Sequence, residues 1–388
     1  MQIVGAVLER SGSTPPFATS RPFTVSRLDL DDPGPGEVLV RIEAAGVCHS
    51  DLSVVDGSRV RPVPMLLGHE AAGVVVALGD GPSDGPGDGL DGRHGTGADD
   101  LALGDRVVLT FLPRCGACPA CATDGRLPCG PGSAANAAGT LVGGGTRLHR
   151  DGSTVHHHLG VSAFASHAVV SRTSVVRVDP DVPADVAALL GCAVLTGGGA
   201  VVNAGRPRPG EPVVVVGLGG VGMAALLVAV ALGHAVIGVD PVPEKLAIAR
   251  ELGAAAAHTP AEAVDRGVRA PVVVEAAGSV RAFETALALT APGGTTVTVG
   301  LPSPDARAAV SPLTLTAEAR TVVGSYLGSA VPTRDIPTYV GLWRAGRLPL
   351  ERLVSSRVTL DDLDSAMDRL AAGGELRQLL TFDEGTTP

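Results

Sequence analysis

Four of the chain's six cysteines follow one another at short intervals in a single segment. The pattern C-x2-C-x2-C-x7-C is formed by Cys115, Cys118, Cys121 and Cys129. Four thiolates on one short loop suit a tetrahedral zinc ion with no open coordination position, as in structural zinc sites. A nucleic-acid-binding zinc knuckle and a redox-active C-x-x-C pair are the alternatives. The third and fourth cysteines favour a metal over the redox pair, and the scarcity of nearby cations argues against the knuckle.

The other two cysteines lie far apart, and a histidine accompanies them. Cys48 follows Gly46-Val47, His69 lies in Gly68-His69-Glu70, and Cys192 follows Gly191. Two cysteines and one histidine form a three-ligand set that leaves a fourth zinc position open for water or substrate. A zinc ion there acts as a Lewis acid on an alcohol oxygen. Each residue alone is more often a buried structural side chain, but the neighbouring motifs together predict a catalytic zinc site.

A glycine-rich segment predicts a dinucleotide site. Four valines from Val213 precede a turn that opens an apolar helix, and its fingerprint residues are Gly217, Gly219, Gly220, Val221 and Gly222. The glycines allow backbone N–H groups to approach a pyrophosphate at the helix N-terminus. Asp240 ends the next strand, where a carboxylate accepts hydrogen bonds from ribose hydroxyls and repels a 2′-phosphate, which favours NAD over NADP. Lys245, the only lysine, is either a second ribose contact or a solvated helix residue.

Three consecutive histidines, His156, His157 and His158, raise the question of a third metal site. Adjacent side chains on an extended segment point to opposite faces, so the three imidazoles cannot all converge on one ion. The sequence therefore favours a pocket-lining role for His158 and structural roles for the other two.

The secondary-structure elements that must position these residues follow two patterns: alternating strands and helices in one region, and mainly strands in the other. From about residue 193, strands at 213–216, 235–240, 272–276 and 295–300 alternate with helices at 220–232, 243–252 and 280–289. This alternation predicts an α/β fold with a doubly wound parallel sheet. Before it, strands are predicted at 36–48, 72–78 and 105–109, and after it come a helix at 361–372 and a strand at 378–382.

Two segments could mislead. Residues 212–239 contain no Asp, Glu, Lys or Arg and are long enough to cross a bilayer, but the glycines within them predict a strand, a turn and a helix instead. Residues 79–104 are rich in Gly, Asp and Pro and nearly lack large apolar groups. We expect a solvated loop there, with a functional lid as the alternative.

Composition narrows the partners. The 388 residues carry 30 basic and 40 acidic side chains, for a net charge of −10, and only 2% are aromatic. Nucleic acid and anionic membranes are therefore not expected as partners, because both require clustered cations. The N-terminal segment reaches Glu9 and Arg10 too early for an apolar signal core, and we expect a cytoplasmic protein.

These motifs together resemble the zinc-dependent medium-chain alcohol dehydrogenases, in the long form related to class I and class III enzymes. The motifs that carry the resemblance are GVCHSD, GHEAAG, the four-cysteine lobe, GCAVLTGGGAVVN, VGLGGVG and LRQLLTF. The resemblance implies a mainly β, GroES-like catalytic domain at 1–193 with a structural zinc lobe at 113–131. A Rossmann domain binding NAD would follow at 194–325, and residues 326–388 would return to the catalytic domain. Two zinc ions per chain, a small alcohol or aldehyde substrate, and a homodimer or homotetramer are expected.

The resemblance also implies a role for each matching site residue. Cys48, His69 and Cys192 would bind the catalytic zinc, Asp51 would orient His69, and Glu70 would lie behind the metal. Ser50 would bond the substrate oxygen and begin a proton relay. His49 and Arg377 would contact the cofactor pyrophosphate. The substrate pocket would be lined by Phe111, His158, Leu159, Leu301 and Tyr326, a mostly apolar set that suggests an uncharged alcohol.

Departures from the family pattern keep other functions open. Ser53 stands where class I members often place a relay histidine. The segment from Gly57 to Gly68 carries Arg59 and Arg61 and no acid, whereas class III members use acids there to hold a thiol adduct of formaldehyde. A thiol-adduct-dependent formaldehyde dehydrogenase is the nearest alternative enzyme. A non-catalytic protein that binds zinc and a dinucleotide is the alternative of another class.

Overall fold

The computed structural model describes residues 1–79 and 101–382. In chain order the strands are β1 (Gln2–Leu8), β2 (Phe23–Leu30), β3 (Glu37–Val47), β4 (Met65–Leu66), β5 (Glu70–Leu78), β6 (Arg106–Leu109), β7 (Leu148–Arg150), β8 (Ser153–His157), β9 (His167–Ser171), β10 (Val175–Val178), β11 (Val213–Val216), β12 (Val236–Val239), β13 (Ala256–His258), β14 (Ala270–Glu275), β15 (Thr290–Thr298), β16 (Thr321–Gly324), β17 (Val354–Val358) and β18 (Arg377–Thr381).

The α-helices are α1 (Phe17–Ser20), α2 (His49–Val55), α3 (Gly130–Ala138), α4 (Ala184–Leu189), α5 (Leu195–Gly199), α6 (Gly220–Ala231), α7 (Pro243–Glu251), α8 (Pro260–Asp265), α9 (Val280–Leu289), α10 (Pro312–Ala317), α11 (Pro332–Arg344) and α12 (Leu363–Ala372). Two wider π-helical turns, Leu190–Val194 and Ala200–Gly205, flank α5. The loop predicted at 79–104 lies almost wholly outside the described residues, so its role stays a prediction.

The chain divides into two compact units. The first contains Met1–Cys192 and the C-terminal segment from Val354, and the second is Ala193–Leu353. The predicted boundary after residue 193 differs from this division by one position. The predicted return at 326 differs more, because the turn Tyr326–Ser329 and α11 pack against α5 in the second unit.

The first unit is built from two β structures. Strands β1, β2, β7, β8 and β4 close a barrel, while a second sheet has the order β10-β6-β5-β3-β18-β17, with β9 also paired to β3. Strand β3 is long and almost entirely buried, which suits its central position. A buried cluster that includes Phe17, Ile42 and Phe164 fills the core between these strands and α12. The predicted strands correspond to β3, β5, β6 and β18, but the barrel was not predicted, because several of its strands are too short to show a period.

The second unit is a parallel sheet with helices. Its strand order is β13-β12-β11-β14-β15-β16, and every neighbouring pair is parallel. All four residues of β11 are buried, as expected for a parallel strand covered on both faces. This confirms the predicted α/β fold with a doubly wound sheet, and the charge-poor segment 212–239 forms β11, α6 and β12 as expected.

One helical run among the described residues, Ala184–Gly205, is long and apolar enough to cross a bilayer. However, 89% of its apolar window is buried inside the protein. Core helices of soluble proteins meet the same criteria, so this run is weak evidence for a membrane span.

Candidate active site

The start of α2 fixes the first part of the site. Cys48 ends the extended backbone that follows β3 and is the N-cap of α2, which places Asp51 in the first helical turn. The Cys48 N–H donates to Asp51 Oδ2 at 3.1 Å. An acidic residue at this position satisfies an otherwise unpaired N–H group and suits the positive end of the helix dipole. The spacing from 48 to 51 is therefore set by a helix cap.

Asp51 also holds His69. Its Oδ1 lies 3.0 Å from His69 Nδ1 and accepts a hydrogen bond from the Gly68 N–H at 3.2 Å, and both side chains are fully buried. Burial alone would raise the pKa of Asp51, but the charge of His69 holds this pKa well below its usual range. Burial likewise would lower the pKa of His69, but the charge of Asp51 raises it well above the ordinary value. With Nδ1 engaged, the imidazole presents Nε2 to the other side.

Cys192 meets that nitrogen. It lies in the π-helical turn after α4, and its Sγ is 3.5 Å from His69 Nε2. A Cβ at Gly191 would lie 2.1 Å from the Leu109 carbonyl oxygen, so only glycine lets the turn approach the end of β6.

The two thiols of this centre also shift each other's pKa. A hydrogen bond with Cys192 lowers the pKa of Cys48 well below its ordinary value and raises the pKa of Cys192.

Glu70 and Arg377 lie on the same buried centre. The donor atoms of Cys48, His69, Glu70 and Cys192 all lie within 4.8 Å of one another. Arg377 Nε is 3.5 Å from Glu70 Oε1, and at most 2% of either side chain is exposed. Burial raises the pKa of Glu70 to about 7, although the Arg377 charge opposes this shift. No hydrogen-bond partner is found for either Glu70 oxygen within residues 1–79 and 101–382.

The donor atoms fit zinc at both cysteine clusters. Tetrahedral Zn–S and Zn–N bonds place a sulfur and a nitrogen about 3.5 Å apart and two sulfurs about 3.8 Å apart. In the buried centre, the distance from Cys192 Sγ to His69 Nε2 is 3.5 Å. In the four-cysteine lobe, Sγ–Sγ distances are 3.6 Å from Cys118 to Cys121 and 4.0 Å from Cys118 to Cys129. All six cysteines are free thiols, so both sets remain available for a metal.

The fingerprint glycines in the second unit form a cradle at the N-terminus of α6. Gly219 is the N-cap of this 12-residue helix, and a Cβ there would meet nothing within 4 Å. A Cβ at Gly222 would lie 1.8 Å from the Gly217 carbonyl oxygen, so the helix and the turn touch. Open space above N–H groups that no side chain caps, at a helix N-terminus, suits a pyrophosphate.

Asp240 lies at the end of β12, next to this cradle. Its two oxygens accept hydrogen bonds from the Leu218 N–H at 2.7 Å and the Val242 N–H at 2.9 Å. A carboxylate has about four acceptor positions, so the group can also accept ribose hydroxyls. Lys245 lies in the first turn of α7 and is half-buried. The residues around the glycines therefore fit a dinucleotide.

Comparison with known proteins covers both units. Residues 34–180 match the alcohol dehydrogenase GroES-like domain, and residues 220–344 match the zinc-binding dehydrogenase family. Alcohol dehydrogenase B of Mycobacterium tuberculosis is 33% identical over 377 residues, covering 94% of this chain and 96% of the relative. The chain belongs to the zinc-dependent medium-chain alcohol dehydrogenase family.

Two other similar proteins show the breadth of this alcohol dehydrogenase family. The NDMA-dependent alcohol dehydrogenase of Amycolatopsis methanolica is 34% identical over 391 residues, 98% of this chain and 99% of that protein. The crystal structure of benzyl alcohol dehydrogenase from Acinetobacter calcoaceticus has a TM-score of 0.85 and 28% identity, and the match covers 99% of this chain and 100% of that one. These similarities confirm the GroES-like and Rossmann-type fold and the assignment as an oxidoreductase.

Three of the pocket residues implied for an alcohol dehydrogenase lie in the first unit. The His69 ring packs edge-on against Phe111 and His158, with ring centroids 5.5 Å and 5.4 Å away. Leu159 is buried next to His158. The other two pocket residues, Leu301 and Tyr326, are in the second unit, where Leu301 is exposed and Tyr326 half-buried.

One contact at this centre is absent from the sequence-based expectations. His158 Nε2 lies 3.3 Å from Asp51 Oδ1, so two imidazoles face the same carboxylate oxygen. Burial lowers the pKa of His158, which favours its neutral form. Its neighbour His157 is also buried, and its Nε2 accepts the Arg147 N–H at 3.2 Å. This agrees with the structural role expected for His157, and no pattern in the sequence pairs His158 with Asp51.

The residues that the resemblance implies for a proton relay lie on α2. Ser50 is half-buried and His49 is exposed in the first turn of this helix. The Ser53 hydroxyl donates to the Ser50 carbonyl oxygen at 2.9 Å. That hydrogen bond uses the only proton that Ser53 could pass on.

Proposed function

We propose that this chain catalyses the NAD-dependent oxidation of a primary or secondary alcohol to an aldehyde or ketone, and the reverse reduction. The observation that carries the proposal is the buried set of Cys48, His69 and Cys192, whose donor atoms converge within 4.8 Å. Three protein ligands with one open position are typical of catalytic zinc sites. The relatives' names as alcohol dehydrogenases support the substrate class.

Cys48, His69 and Cys192 would hold the catalytic zinc, and the four cysteines of the lobe would hold a structural zinc. The bound catalytic zinc supplies a Lewis acid that polarises an alcohol oxygen. Asp51 fixes the ring of His69 through the 3.0 Å contact at Nδ1 and thereby keeps Nε2 directed at the metal position. The hydrogen bonds that Asp51 accepts from Cys48 and Gly68 prevent the carboxylate from turning away.

The remaining residues would transfer the substrate's hydroxyl proton to solvent and exclude bulk water from the zinc site. Ser50 Oγ would accept the proton of the substrate hydroxyl while it releases its own hydroxyl proton; it is a candidate because it follows Cys48 by two residues and is half-buried. From there the proton would leave through exposed His49 or through water. Phe111 and Leu159 are both buried and would exclude bulk water, which strengthens electrostatic interactions at the centre. Arg377 would contact the cofactor pyrophosphate while its Nε faces Glu70.

The dinucleotide supplies the hydride acceptor, and the fingerprint glycines and Asp240 would bind it. Asp240 is 5% exposed and bonded to the turn, so a 2′-phosphate would approach a fixed negative charge. We expect a much higher kcat/KM with NAD+ than with NADP+, and we expect Asp240→Gly to narrow that ratio. Equal kcat/KM for the two cofactors in the unmutated enzyme would contradict the preference.

The decisive experiment is a panel of alcohols and aldehydes assayed with NAD+ or NADH. The panel is repeated with NDMA in place of the dinucleotide, and again with NAD+ and added glutathione. The first arm tests for NDMA dependence, and the second tests for a thiol-adduct dehydrogenase. Turnover that requires NDMA and ignores added NAD+ would contradict the proposal and place the chain with its Amycolatopsis methanolica relative. Turnover of formaldehyde only in the presence of the thiol would identify a thiol-adduct dehydrogenase. A zinc-loaded protein that binds NADH but converts no substrate would support the non-catalytic alternative. The homodimeric or homotetrameric state and the cytoplasmic location stay predictions.

A further inference from the structure

A buried carboxyl group outside the predicted site lies at the end of β14. Glu275 is 1% exposed. Its Oε1 accepts hydrogen bonds from the Ala277 N–H at 2.9 Å and the Gly278 N–H at 2.7 Å. Its Oε2 accepts the Thr298 hydroxyl at 2.8 Å. One side chain therefore joins the turn 276–278 to the end of the neighbouring strand β15.

This link lies at the carboxyl ends of the strands, in the same sheet that carries the glycine fingerprint. Strands β11 and β14 are neighbours, and the chain order reverses between them. In doubly wound sheets, ligands bind at the carboxyl ends of the strands at this switch point. The Ala276 N–H donates to the Val216 carbonyl at 2.8 Å. A Cβ on Gly217 would lie 2.6 Å from the Ala277 nitrogen, so turn and fingerprint touch.

We propose that Glu275 is a positioning residue of the dinucleotide site, acting through the backbone of the turn 276–278 and the end of β15. These two segments, the crevice wall, lie at the carboxyl ends of β14 and β15, and the turn touches the glycine cradle at Gly217. The inference rests on the proposed function, in which the cradle binds NAD. When the link is lost, the wall samples other conformations, and the apparent Kd rises as the binding-competent fraction falls.

Strand β15 offers a matched pair of side chains to test this inference. Thr298, at its carboxyl end, donates to Glu275. Thr290, at its amino end, is fully buried, and its hydroxyl contacts Thr296 Oγ1 at 2.6 Å and the Ala286 carbonyl at 2.8 Å. Replacing either threonine with valine keeps the branched shape and removes the hydroxyl contacts. Only Thr298→Val removes a contact to the crevice wall.

The measurement is the Kd for NADH of the zinc-loaded full chain, determined by fluorescence titration and accompanied by thermal unfolding. We expect Thr298→Val to raise the Kd about fivefold, the equivalent of one hydrogen bond. Thr290→Val should leave the Kd unchanged although it also lowers the unfolding temperature. Equal Kd values for the two variants would overturn the inference. Failure of the unmutated chain to bind NADH would instead overturn the proposed cofactor, and the inference with it.

Variants of Glu275 itself give a second test that does not depend on threonine. Glu275→Gln keeps an acceptor oxygen for Ala277 and Gly278 and turns its amide toward the Thr298 hydroxyl, so it should bind NADH almost as the unmutated chain does. Glu275→Leu removes all three contacts and should raise the Kd more than Thr298→Val does. In steady-state kinetics the KM for NAD+ should rise while the KM for the alcohol stays constant. A loss of NADH binding in Glu275→Gln equal to that in Glu275→Leu would contradict positioning through these hydrogen bonds.

Discussion

The two cysteine clusters of the first unit contrast in how the chain assembles them. The lobe takes all four sulfurs from the segment 115–129, and three of the four residues are partly exposed. The buried centre takes its donors from the cap of α2, the residues that lead into β5 and the π-helical turn after α4. A local set can close around an ion without the rest of the fold. A distributed set forms only when the sheet is complete, and the proposed three-ligand set would leave one zinc position open for chemistry.

The sharpest test of this contrast removes one thiolate from each cluster. We expect Cys192→Ala to stay folded, retain one zinc ion and lose roughly a thousandfold or more in kcat/KM, because it removes the Lewis acid. Cys118→Ala should mainly lower the unfolding temperature, since a closed zinc site contributes folding free energy. Zinc analysis of the unmutated protein should return two ions per chain. The reverse pattern of effects would exchange the roles of the two clusters.

A smaller effect is expected from the two serines on α2 near the open centre. Ser50→Ala should lower kcat by about two orders of magnitude, in line with the loss of a positioned proton-transfer group. Ser53→Ala should cost little, because its hydroxyl already donates to the Ser50 carbonyl at 2.9 Å. The measurement is steady-state kinetics with one good alcohol. Near-normal turnover by Ser50→Ala, with zinc and NAD binding intact, would refute the relay.

The smallest effect is expected from side chains that contact the cysteine clusters without being zinc ligands. Asp51 bonds the ring of His69, and Arg114 donates to the Cys121 carbonyl at 2.9 Å. Asp51→Asn should weaken zinc binding at the buried centre about 10- to 100-fold, the usual cost of losing such a partner. Arg114→Ala should change zinc binding at the lobe much less. Arg114 contacts a backbone carbonyl, and the four thiolates are already held close together by their short spacing. Competition with a chelator measures both, and a larger effect of Arg114→Ala would contradict the contrast.

The sequence by itself predicted the parts that depend on short-range spacing. The four-cysteine lobe, the fingerprint from Gly217 to Gly222 and the alternation of strands and helices are local patterns. Each is set by turn geometry or by strand and helix periodicity within a few residues. The grouping of Cys48, His69 and Cys192 rested on the motifs that accompany them and then on the family resemblance, because nothing in their spacing brings them together.

Only the tertiary structure decided which distant side chains meet. His158 faces Asp51, Arg377 faces Glu70, and Glu275 joins the turn 276–278 to Thr298. The physical reason is that these contacts depend on strand order and register, and a register shift of one residue reverses the direction of every side chain. The barrel of β1, β2, β7, β8 and β4 escaped prediction for a related reason. Strands of two to eight residues gain their stability from their partners, and their own sequences carry too short a pattern to specify them.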